Sequence, residues 1–247
     1  MIFTNSGICP YCSKAVVFEA RQAWLRDHYV CPSCGSIPRE RALIWTIEHF
    51  FPSWRNLAIH ECSAVFRGAS SRLRAECRNY TPTQYFTNVS PGKEYKSFRC
   101  ENIERLTFPD ESIDLHVTKD VMEHVFDPAS AFREIARTLR PGGAHVFTTP
   151  LVNKERNSER RAQLGPDGAV DHLHPAEYHG NPVSDKGSLV TMHWGYDITD
   201  FIASSSGLFT TVVYIDQLDA GIRAEYIEVL VTRKPALAGA LGPDKSA

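Results

Sequence analysis

The sequence of 247 residues lacks several features that would assign it to a class at once. It has no apolar run of about eighteen residues or more, so we predict no transmembrane helix. The formal net charge is only −2, so no overall field draws the chain to nucleic acid or to an anionic membrane. The first residues lack the basic start and apolar core of a signal peptide. We therefore expect a cytoplasmic protein whose apolar content of 43% is ordinary for one large domain or two smaller ones.

Four of the seven cysteines stand in two pairs near the start of the chain. Cys9 and Cys12 form one C-x-x-C pair, Cys31 and Cys34 form the other, and eighteen residues separate them. Such a pair places two thiolates on one tight turn, so two pairs can supply the four corners of a zinc site. Disulfides or a redox pair are the alternatives. The matched spacing favours a zinc ribbon over residues 1–36, with Zn²⁺ in a structural role.

The pattern after the ribbon predicts a linking helix within 37–55 and then an α/β domain over 56–234. The apolar face of the helix is formed by Leu43, Ile44, Ile47 and Phe50. From residue 56, short apolar runs alternate with helical segments, which is typical of an open sheet with parallel strands. Asp127 and Pro128 predict a helix start, with Asp127 as the N-cap. The tail, 235–247, is predicted to be disordered.

An insertion over residues 151–195 interrupts this alternation. Its charged segment, Lys154 to Arg161, is predicted to be a solvated helix face, and glycine, proline and histidine dominate the remainder of the insertion. A long irregular insertion in a compact domain is usually a functional lid or a disordered loop.

Two segments resemble the class I S-adenosylmethionine-dependent methyltransferases. The stretch from Asp120 to Gly143 begins D-V-M-E-H-V-F-D-P, ends in P-G-G, and resembles the segment from the fourth strand to the turn before the fifth. Residues 101–114 resemble the adenine side of the same family. A smaller group in it carries a zinc ribbon that continues into S-x-x-R-x-R, which here begins at Ser36. The resemblance implies a Rossmann-like seven-stranded sheet, its last strand antiparallel, with S-adenosylmethionine at the carboxyl ends of the strands.

The resemblance also implies a set of residues that bind the cofactor. These are Glu61, Ser63, Arg67, Gly68, Glu101, Asn102 and Asp120. The family has a glycine-rich turn after its first strand, whereas this chain keeps only Gly68, with Ser63 in the tight-turn position. Arg67 could pair with the methionine carboxylate. Asp120 either faces the methyl-transfer cavity or caps a helix.

Histidines are concentrated in the insertion and supply the candidates for acid–base chemistry. The predicted catalytic residues are His124, His172, His174 and His179. Imidazole can take a proton from a hydroxyl acceptor, and an H-x-H with nearby carboxylates can bind a metal. A polar lid in which histidines only pack is the remaining alternative. Tyr178, Trp194 and Tyr196 could stack on a ring or anchor the lid.

These observations predict methyl transfer from S-adenosylmethionine to a small polar acceptor, such as a sugar or another metabolite. The altered glycine turn leaves open a binding or scaffold protein that has lost the cofactor. A nucleic-acid methyltransferase that docks through the ribbon is a third possibility. Residues 1–45 contain five Lys or Arg against three Asp or Glu, an excess too small for an electrostatic footprint, so nucleic acid is not the expected partner.

Overall fold

The computed structural model of the chain describes residues 1–65, 68–181 and 184–236. Most of the predicted disordered tail, residues 237–247, lies outside the described residues. None of the helices in the described part of the chain is both long and apolar enough to cross a membrane.

The first unit is a small antiparallel sheet. Its elements are β1 (Phe3–Ile8), β2 (Ala15–Ala20), α1 (Leu25–His28) and β3 (Tyr29–Val30). Each C-x-x-C pair forms a tight turn that is closed by one backbone bond, from Ser13 N to Cys9 O at 2.8 Å and from Gly35 N to Cys31 O at 2.8 Å. Only a few side chains, such as Phe18 and Tyr29, form the apolar core beside these turns. So small a core needs a further source of folding energy.

The helix that follows the ribbon, α2 (Pro38–Phe50), belongs to the core of the main sheet. Leu43, Ile44 and Ile47 are fully buried and pack in one cluster with sheet residues, among them Val117 and Val146. Pro38 occupies the first turn, where its missing N–H costs nothing. The predicted apolar face is therefore confirmed except at its end, since Phe50 remains 37% exposed.

The main domain alternates strands and helices up to its insertion. Its elements are β4 (Ala58–Cys62), α3 (Gly68–Glu76), β5 (Asn79–Gln84), β6 (Glu94–Tyr95), β7 (Phe98–Cys100), β8 (Ile113–Lys119), α4 (Pro128–Thr138) and β9 (Leu139–Thr148). A 3-10 turn at Trp54–Asn56 precedes β4. The Asp127 side chain accepts a 3.0 Å bond from Ser130 N, which confirms the predicted N-cap of α4.

The insertion is built from short strands. They are β10 (Glu159–Arg160), β11 (Ala162–Leu164), β12 (Val170–His172), β13 (Tyr178–Asn181), β14 (Ser184–Leu189) and β15 (Met192–His193). They form three antiparallel pairs, β10 with β15, β11 with β12, and β13 with β14. The helix predicted from Lys154 to Arg161 is wrong: the charged segment has no apolar stripe to hold a helix on the core, and its end pairs with β15 instead.

After the insertion come α5 (Ile198–Ser206), β16 (Phe209–Val213), a 3-10 turn at Leu218–Ala220, and β17 (Val229–Arg233). The main sheet has the strand order β16-β17-β9-β8-β4-β5-β7-β6. The pairs among β9, β8, β4, β5 and β7 are parallel, whereas β17 is antiparallel to both β9 and β16. The predicted seven-stranded arrangement with an antiparallel last strand is thus confirmed, and the two-residue β6 adds an antiparallel edge.

Helices cover both faces of this sheet. α2 and α3 pack on one face, and α4 and α5 pack on the other around Phe132, Phe147 and Leu230. With both faces covered, ligands can reach the strands only from an edge. In open α/β sheets, that place is the crevice beyond the carboxyl ends of the strands.

Candidate functional site

The four paired cysteines converge at one point. Their sulfur atoms all lie within 4.8 Å of one another, with Cys9 and Cys34 at 3.8 Å and Cys12 and Cys31 at 3.9 Å. A zinc ion bound at about 2.3 Å by four tetrahedral sulfurs would space them at about 3.8 Å. The Ser36 hydroxyl lies 3.2 Å from the Cys34 sulfur. The donor set and its spacing therefore fit a tetrahedral metal site with four thiolate ligands.

A buried arginine joins this cluster to the main domain. Arg41 is fully buried, and it donates to the carbonyl oxygens of Gly221 at 2.6 Å and Tyr29 at 2.7 Å, and to that of Ser36. Gly221 follows the 3-10 turn between β16 and β17, so one guanidinium ties three segments together. A cavity of about 400 Å³ lies between β1, α2 and this turn. None of the residues that line it lies at the carboxyl edge, that is, at the carboxyl ends of the strands of the main sheet.

The ribbon also reaches the carboxyl edge itself, through Asp120. Arg26 donates to Asp120 Oδ2 at 2.8 Å, Arg39 lies 3.1 Å from the same oxygen, and Thr148 donates to Oδ1 at 3.0 Å. Burial raises the pKa of Asp120, but the two guanidiniums outweigh it and bring the pKa to about 2. The residues after Asp120 form turns and no helix, so the alternative of a helix N-cap is wrong.

The turn after β4 carries the altered glycine motif. Ser63 has φ of 58°, a left-handed conformation that glycine adopts without strain, so it occupies the tight-turn position expected for it. Gly68 has φ of 56° at the start of α3, and an added Cβ would lie 1.8 Å from the Glu40 carboxylate. The left-handed φ favours glycine at position 68, and a larger residue would also require the Glu40 side chain of α2 to move. Arg67 lies outside the described residues.

Glu61 is fully buried beside this turn. Its carboxylate accepts a 2.6 Å bond from Ser70 and one from Tyr80, and it forms a 3.1 Å ion pair with Lys119. Lys119 also donates to Ser70 at 2.6 Å. These contacts link the ends of β4 and β8 to the first turn of α3. Glu61 holds the turn in place, and its predicted contact with a cofactor stays a prediction.

The adenine-side candidates are also engaged in local contacts. Glu101 is fully buried, accepts from Arg99 at 2.6 Å and Thr107 N at 2.9 Å, and thereby closes the loop after β7. Asn102 accepts a 2.9 Å bond from Glu104 N, which makes a local turn. Gln84 ends β5 and donates to Ala64 O at 2.6 Å, so the second strand also supports the turn after β4. The cofactor roles of Glu101 and Asn102 remain predictions.

A second cluster of ligand-type side chains lies beyond the end of β8. One ligand atom each from Glu123, His124 and His179 lies within 4.8 Å of the other two. Glu123 is 2% exposed, and its Oε2 accepts a 2.9 Å bond from Thr149, which follows β9. Burial, with the nearby Asp120 carboxylate, raises the pKa of Glu123 to about 8. Burial also lowers the pKa of His124.

The two histidines of this cluster are oriented by their other ring nitrogens. His124 Nδ1 donates to Leu189 O at 2.9 Å, and His179 Nε2 lies 3.2 Å from the Glu177 carboxylate. Glu177 also accepts from His193 Nε2 at 2.9 Å. The second oriented ring, His179, comes from the insertion, so β13 and β15 complete a site that begins at the end of β8.

The insertion is fastened to the loop after β8 by several hydrogen bonds. Thr191 N donates to Glu123 O at 2.7 Å, and the Thr191 hydroxyl donates to Val125 O at 2.7 Å. Trp194 is fully buried and donates to Met122 O at 3.1 Å, so it anchors the insertion and offers no stacking surface. Loop and insertion therefore form one side of the candidate site.

Of the four predicted catalytic histidines, the structure brings together His124 and His179 only. His172 lies in the exposed hairpin of β11 and β12, and His174 pairs with Glu159 at 3.4 Å. Sequence reasoning missed Glu123 as a central residue, together with Glu177 and His193. The one available signal was the adjacency of Glu123 to His124 in the segment that resembles methyltransferases.

Comparison with known proteins shows which family part of the chain is similar to. Residues 69–147 match the family model of a methyltransferase domain. A Mycolicibacterium smegmatis protein named "Probable S-adenosylmethionine-dependent methyltransferase" is 43% identical over 52 residues, which cover 21% of this chain and 20% of that protein. Dimethylglycine N-methyltransferase of Parasynechococcus marenigrum is 35% identical over 66 residues, 26% of this chain and 24% of the enzyme. The chain thus matches only a fifth to a quarter of the length of these relatives.

One solved structure supports the fold over a longer span. The methyltransferase in complex with the Trm112 methyltransferase activator of Haloferax volcanii superposes with a TM-score of 0.50 at 15% identity, over 80% of this chain and 91% of that one. At this identity the likeness shows the fold alone. The match over 69–147 and the sheet order together make this part of the chain similar to the class I S-adenosylmethionine-dependent methyltransferases, as the resemblance in the sequence predicted.

Proposed function

We propose that the protein transfers a methyl group from S-adenosylmethionine to a small polar acceptor. The observation that carries the proposal is the family match over 69–147, which spans α3 to β9 and hence most of the strands whose carboxyl ends form the crevice. The cofactor would supply an electrophilic methyl group on a sulfonium. The protein would supply alignment of the acceptor with that methyl, which is the main requirement of an in-line displacement.

The residues at the carboxyl edge suit such a cofactor in two respects. The left-handed backbone at Ser63 keeps the tight turn that lets a ligand approach the main chain, although the glycine is gone. Asp120, which directly follows β8, is paired with Arg26 and Arg39, and these contacts hold the ribbon and this edge of the crevice in place. The contacts of Glu61 with Ser70, Tyr80 and Lys119 hold the turn in place.

The acceptor would lie against the side of the site that the loop after β8 and the insertion form together. The Glu123, His124 and His179 cluster is polar, mostly buried and fastened from both sides, so it can orient a hydroxyl or other polar group. These histidines are the catalytic candidates of the predicted set that the geometry favours. The acceptor is therefore expected to be small and polar, consistent with the prediction from sequence.

The ribbon would hold one Zn²⁺ through Cys9, Cys12, Cys31 and Cys34. Four sulfurs fill the coordination sphere, so the ion would be structural. Through Arg26 and Arg41 it would stabilise the end of β8 and the turn before β17. The metal would thus act on the site only by positioning.

Isothermal calorimetry with S-adenosylmethionine and S-adenosylhomocysteine tests the proposal. We expect one site per chain for each compound. Absence of heat with both, on folded protein with its zinc loaded, would sink it. If they bind, tritiated methyl donor added to a cell extract should label a small molecule that passes a 3-kDa filter, a readout chosen to match the size of acceptor proposed.

A scaffold protein without transfer activity is the second candidate. The burial of Glu61 and Glu101, and the loss of glycines after β4, favour it. Nucleic-acid docking is less well supported, since four of the five basic residues of 1–45 engage internal partners: Arg21, Arg26, Arg39 and Arg41. Binding of cofactor without any labelled acceptor would favour the scaffold.

A further inference from the structure

We infer that Glu123, His124 and His179 bind one divalent transition-metal ion, at a site separate from the four-cysteine cluster. The inference concerns binding by the protein itself. It rests on the proposed function only where the ion is given a role toward the acceptor.

The first observation is convergence of three atoms. Glu123 Oε1 lies 3.8 Å from His124 Nε2 and 4.0 Å from His179 Nδ1. Two ligands at about 2.1 Å from a tetrahedral ion are about 3.4 Å apart, so small side-chain rotations bring all three atoms to bonding distance. The three come from two segments 55 residues apart, the loop after β8 and strand β13.

The second observation is the orientation of the two rings. A carbonyl oxygen only accepts, so the contact with Leu189 O assigns the proton of His124 to Nδ1 and leaves the lone pair on Nε2. The contact with Glu177 assigns the proton of His179 to Nε2 and leaves the lone pair on Nδ1. Both lone pairs therefore lie on the side of Glu123, which is the arrangement of metal-ligating histidines.

The third observation is an acceptor without a donor. Glu123 is 2% exposed, and among the described residues no group donates a hydrogen bond to its Oε1. A buried carboxyl oxygen without a hydrogen-bond partner is costly. A cation at the centre satisfies all three atoms at once.

The donor set indicates which ion. Two imidazoles and one carboxylate suit zinc, iron and similar first-row ions, whereas Mg²⁺ prefers oxygen ligands and retained water. Glu177 bridges His179 and His193, so it provides the outer carboxylate that fixes ring orientation in metal sites. Thr149 donates a hydrogen bond to Oε2 of Glu123, so Oε1 is available to the ion.

Three protein ligands leave at least one open position, which is the mark of a catalytic rather than a structural site. An acceptor hydroxyl bound there would lose its proton to solvent more easily, because the ion lowers the pKa of a bound oxygen. In the transfer step the new O–C bond forms as the S–C bond breaks, and the sulfonium becomes a neutral thioether. The acceptor class inferred from the site is therefore a hydroxyl compound.

Metal titration of the full chain tests the inference. Protein that retains its ribbon zinc is treated with a mild chelator and titrated by calorimetry with ZnCl₂, MnCl₂ and MgCl₂, while elemental analysis counts bound ions. We expect one equivalent of Zn²⁺ beyond the ribbon ion, and Mg²⁺ binding at least tenfold weaker. His179→Ala and Glu123→Gln should weaken the added Zn²⁺ at least about 100-fold, and Glu177→Gln by roughly 10- to 100-fold.

His172→Ala is the matched control, because it removes an exposed histidine of the same insertion that lies outside the cluster. It should bind the second ion as the wild type does. A wild type that takes up the ribbon zinc alone, a His179→Ala protein that keeps the second ion at full affinity, or a preference for Mg²⁺ would each overturn the inference. Since no cofactor is added, failure here is distinct from failure to bind S-adenosylmethionine.

Discussion

Two groups of side chains that could hold a metal ion lie in the described part of the chain, and they differ in how the sequence encodes them. The four cysteines fall within residues 9–34, in pairs whose spacing alone indicates a tetrahedral site. Glu123, His124 and His179 come from two segments that only the folded sheet brings together. The first group can be read as a local motif, whereas the second depends on where β8 ends and on how the insertion folds back.

The two groups also differ in what they support. The ribbon has a small core, and its cysteines fill a coordination sphere, so a metal there contributes mainly to folding. The second group rests on a sheet that is already packed on both faces, and it has fewer ligands than an ion requires. Loss of the first should therefore reduce stability, and loss of the second should reduce ligand binding with little effect on the fold.

The largest effect is expected from Cys9→Ser. Removal of one thiolate opens the tetrahedron, so we expect loss of bound zinc and a fall of more than about 4 kcal/mol in the free energy of unfolding. For a chain of this length that corresponds to a melting temperature lower by about 10 °C or more. Thermal melts with elemental analysis measure both quantities.

Cys77→Ser is the control, since Cys77 is buried outside the ribbon and its thiol lies 3.4 Å from Leu57 O, away from the cysteine cluster. It should cost about 1 kcal/mol. A Cys9→Ser protein with full zinc and an unchanged melting temperature would refute the four-thiolate assignment.

Much of the fold could be predicted because its signals are local. Apolar runs mark β4, β8 and β9, and Asp127 followed by Pro128 marks the start of α4. The insertion could not be read in this way. Its strands are two to six residues long, and their partners lie on other segments, so no period appears in the sequence.

The candidate site was predictable only in part for the same reason. His172 and His174 were grouped with His179 because they are close in the sequence. However, β12 and β13 belong to different hairpins, so His179 lies in a different hairpin from His172. The carboxylates expected at the cofactor were identified by position along the chain. Their partners, such as Lys119 for Glu61 and Arg26 for Asp120, depend on tertiary contacts that spacing does not reveal.

A smaller effect is expected where the ribbon meets the main domain, at Asp120→Asn. The substitution leaves the mostly buried guanidiniums of Arg26 and Arg39 without their shared carboxylate, which should cost about 3 kcal/mol. Urea denaturation measures the loss. The matched control is Asp216→Asn at the exposed pair with Arg223, where solvent screens the charges, so it should change the free energy of unfolding much less. Equal losses in the two variants would show that the ribbon contact is no stronger than a surface ion pair.

The main sheet should confer a pH dependence of its own. His60, His116 and His145 lie in register across β4, β8 and β9, all buried. Burial lowers the pKa of His60 and of His145 to about 3 each. The unfolded chain takes up protons below about pH 6.5 and the folded chain does not, so stability present at pH 7 is lost as the pH falls toward 3.

For one such histidine the loss between pH 7 and pH 5 is about 2 kcal/mol. Urea denaturation of wild type and His145→Phe at both pH values isolates it. His145 stacks on Phe147 at 4.2 Å, so phenylalanine fits the site in shape, and loss of the Thr118 contact changes stability equally at both pH values. The variant should lose about 2 kcal/mol less than the wild type on acidification. The same loss in both proteins would show that His145 is not kept neutral by burial.

The smallest effect is expected from replacing serine by glycine at two turns with the same backbone conformation, one in the ribbon and one in the main domain. Ser13, in the first cysteine turn, and Ser63, in the turn after β4, both have φ of 58°. A serine in the left-handed conformation costs about 1–2 kcal/mol, and glycine removes that strain. Glycine also loses more backbone entropy on folding, which offsets part of the gain, so either change to glycine should stabilise the protein by about 0.5 kcal/mol. Urea denaturation of each variant against wild type measures this. If the turn at Ser63 serves a ligand, Ser63→Gly should also leave S-adenosylmethionine affinity equal or tighter, while Ser13→Gly leaves it unchanged. A destabilised Ser63→Gly would mean that contacts of the serine side chain, and not the backbone angle, maintain that turn.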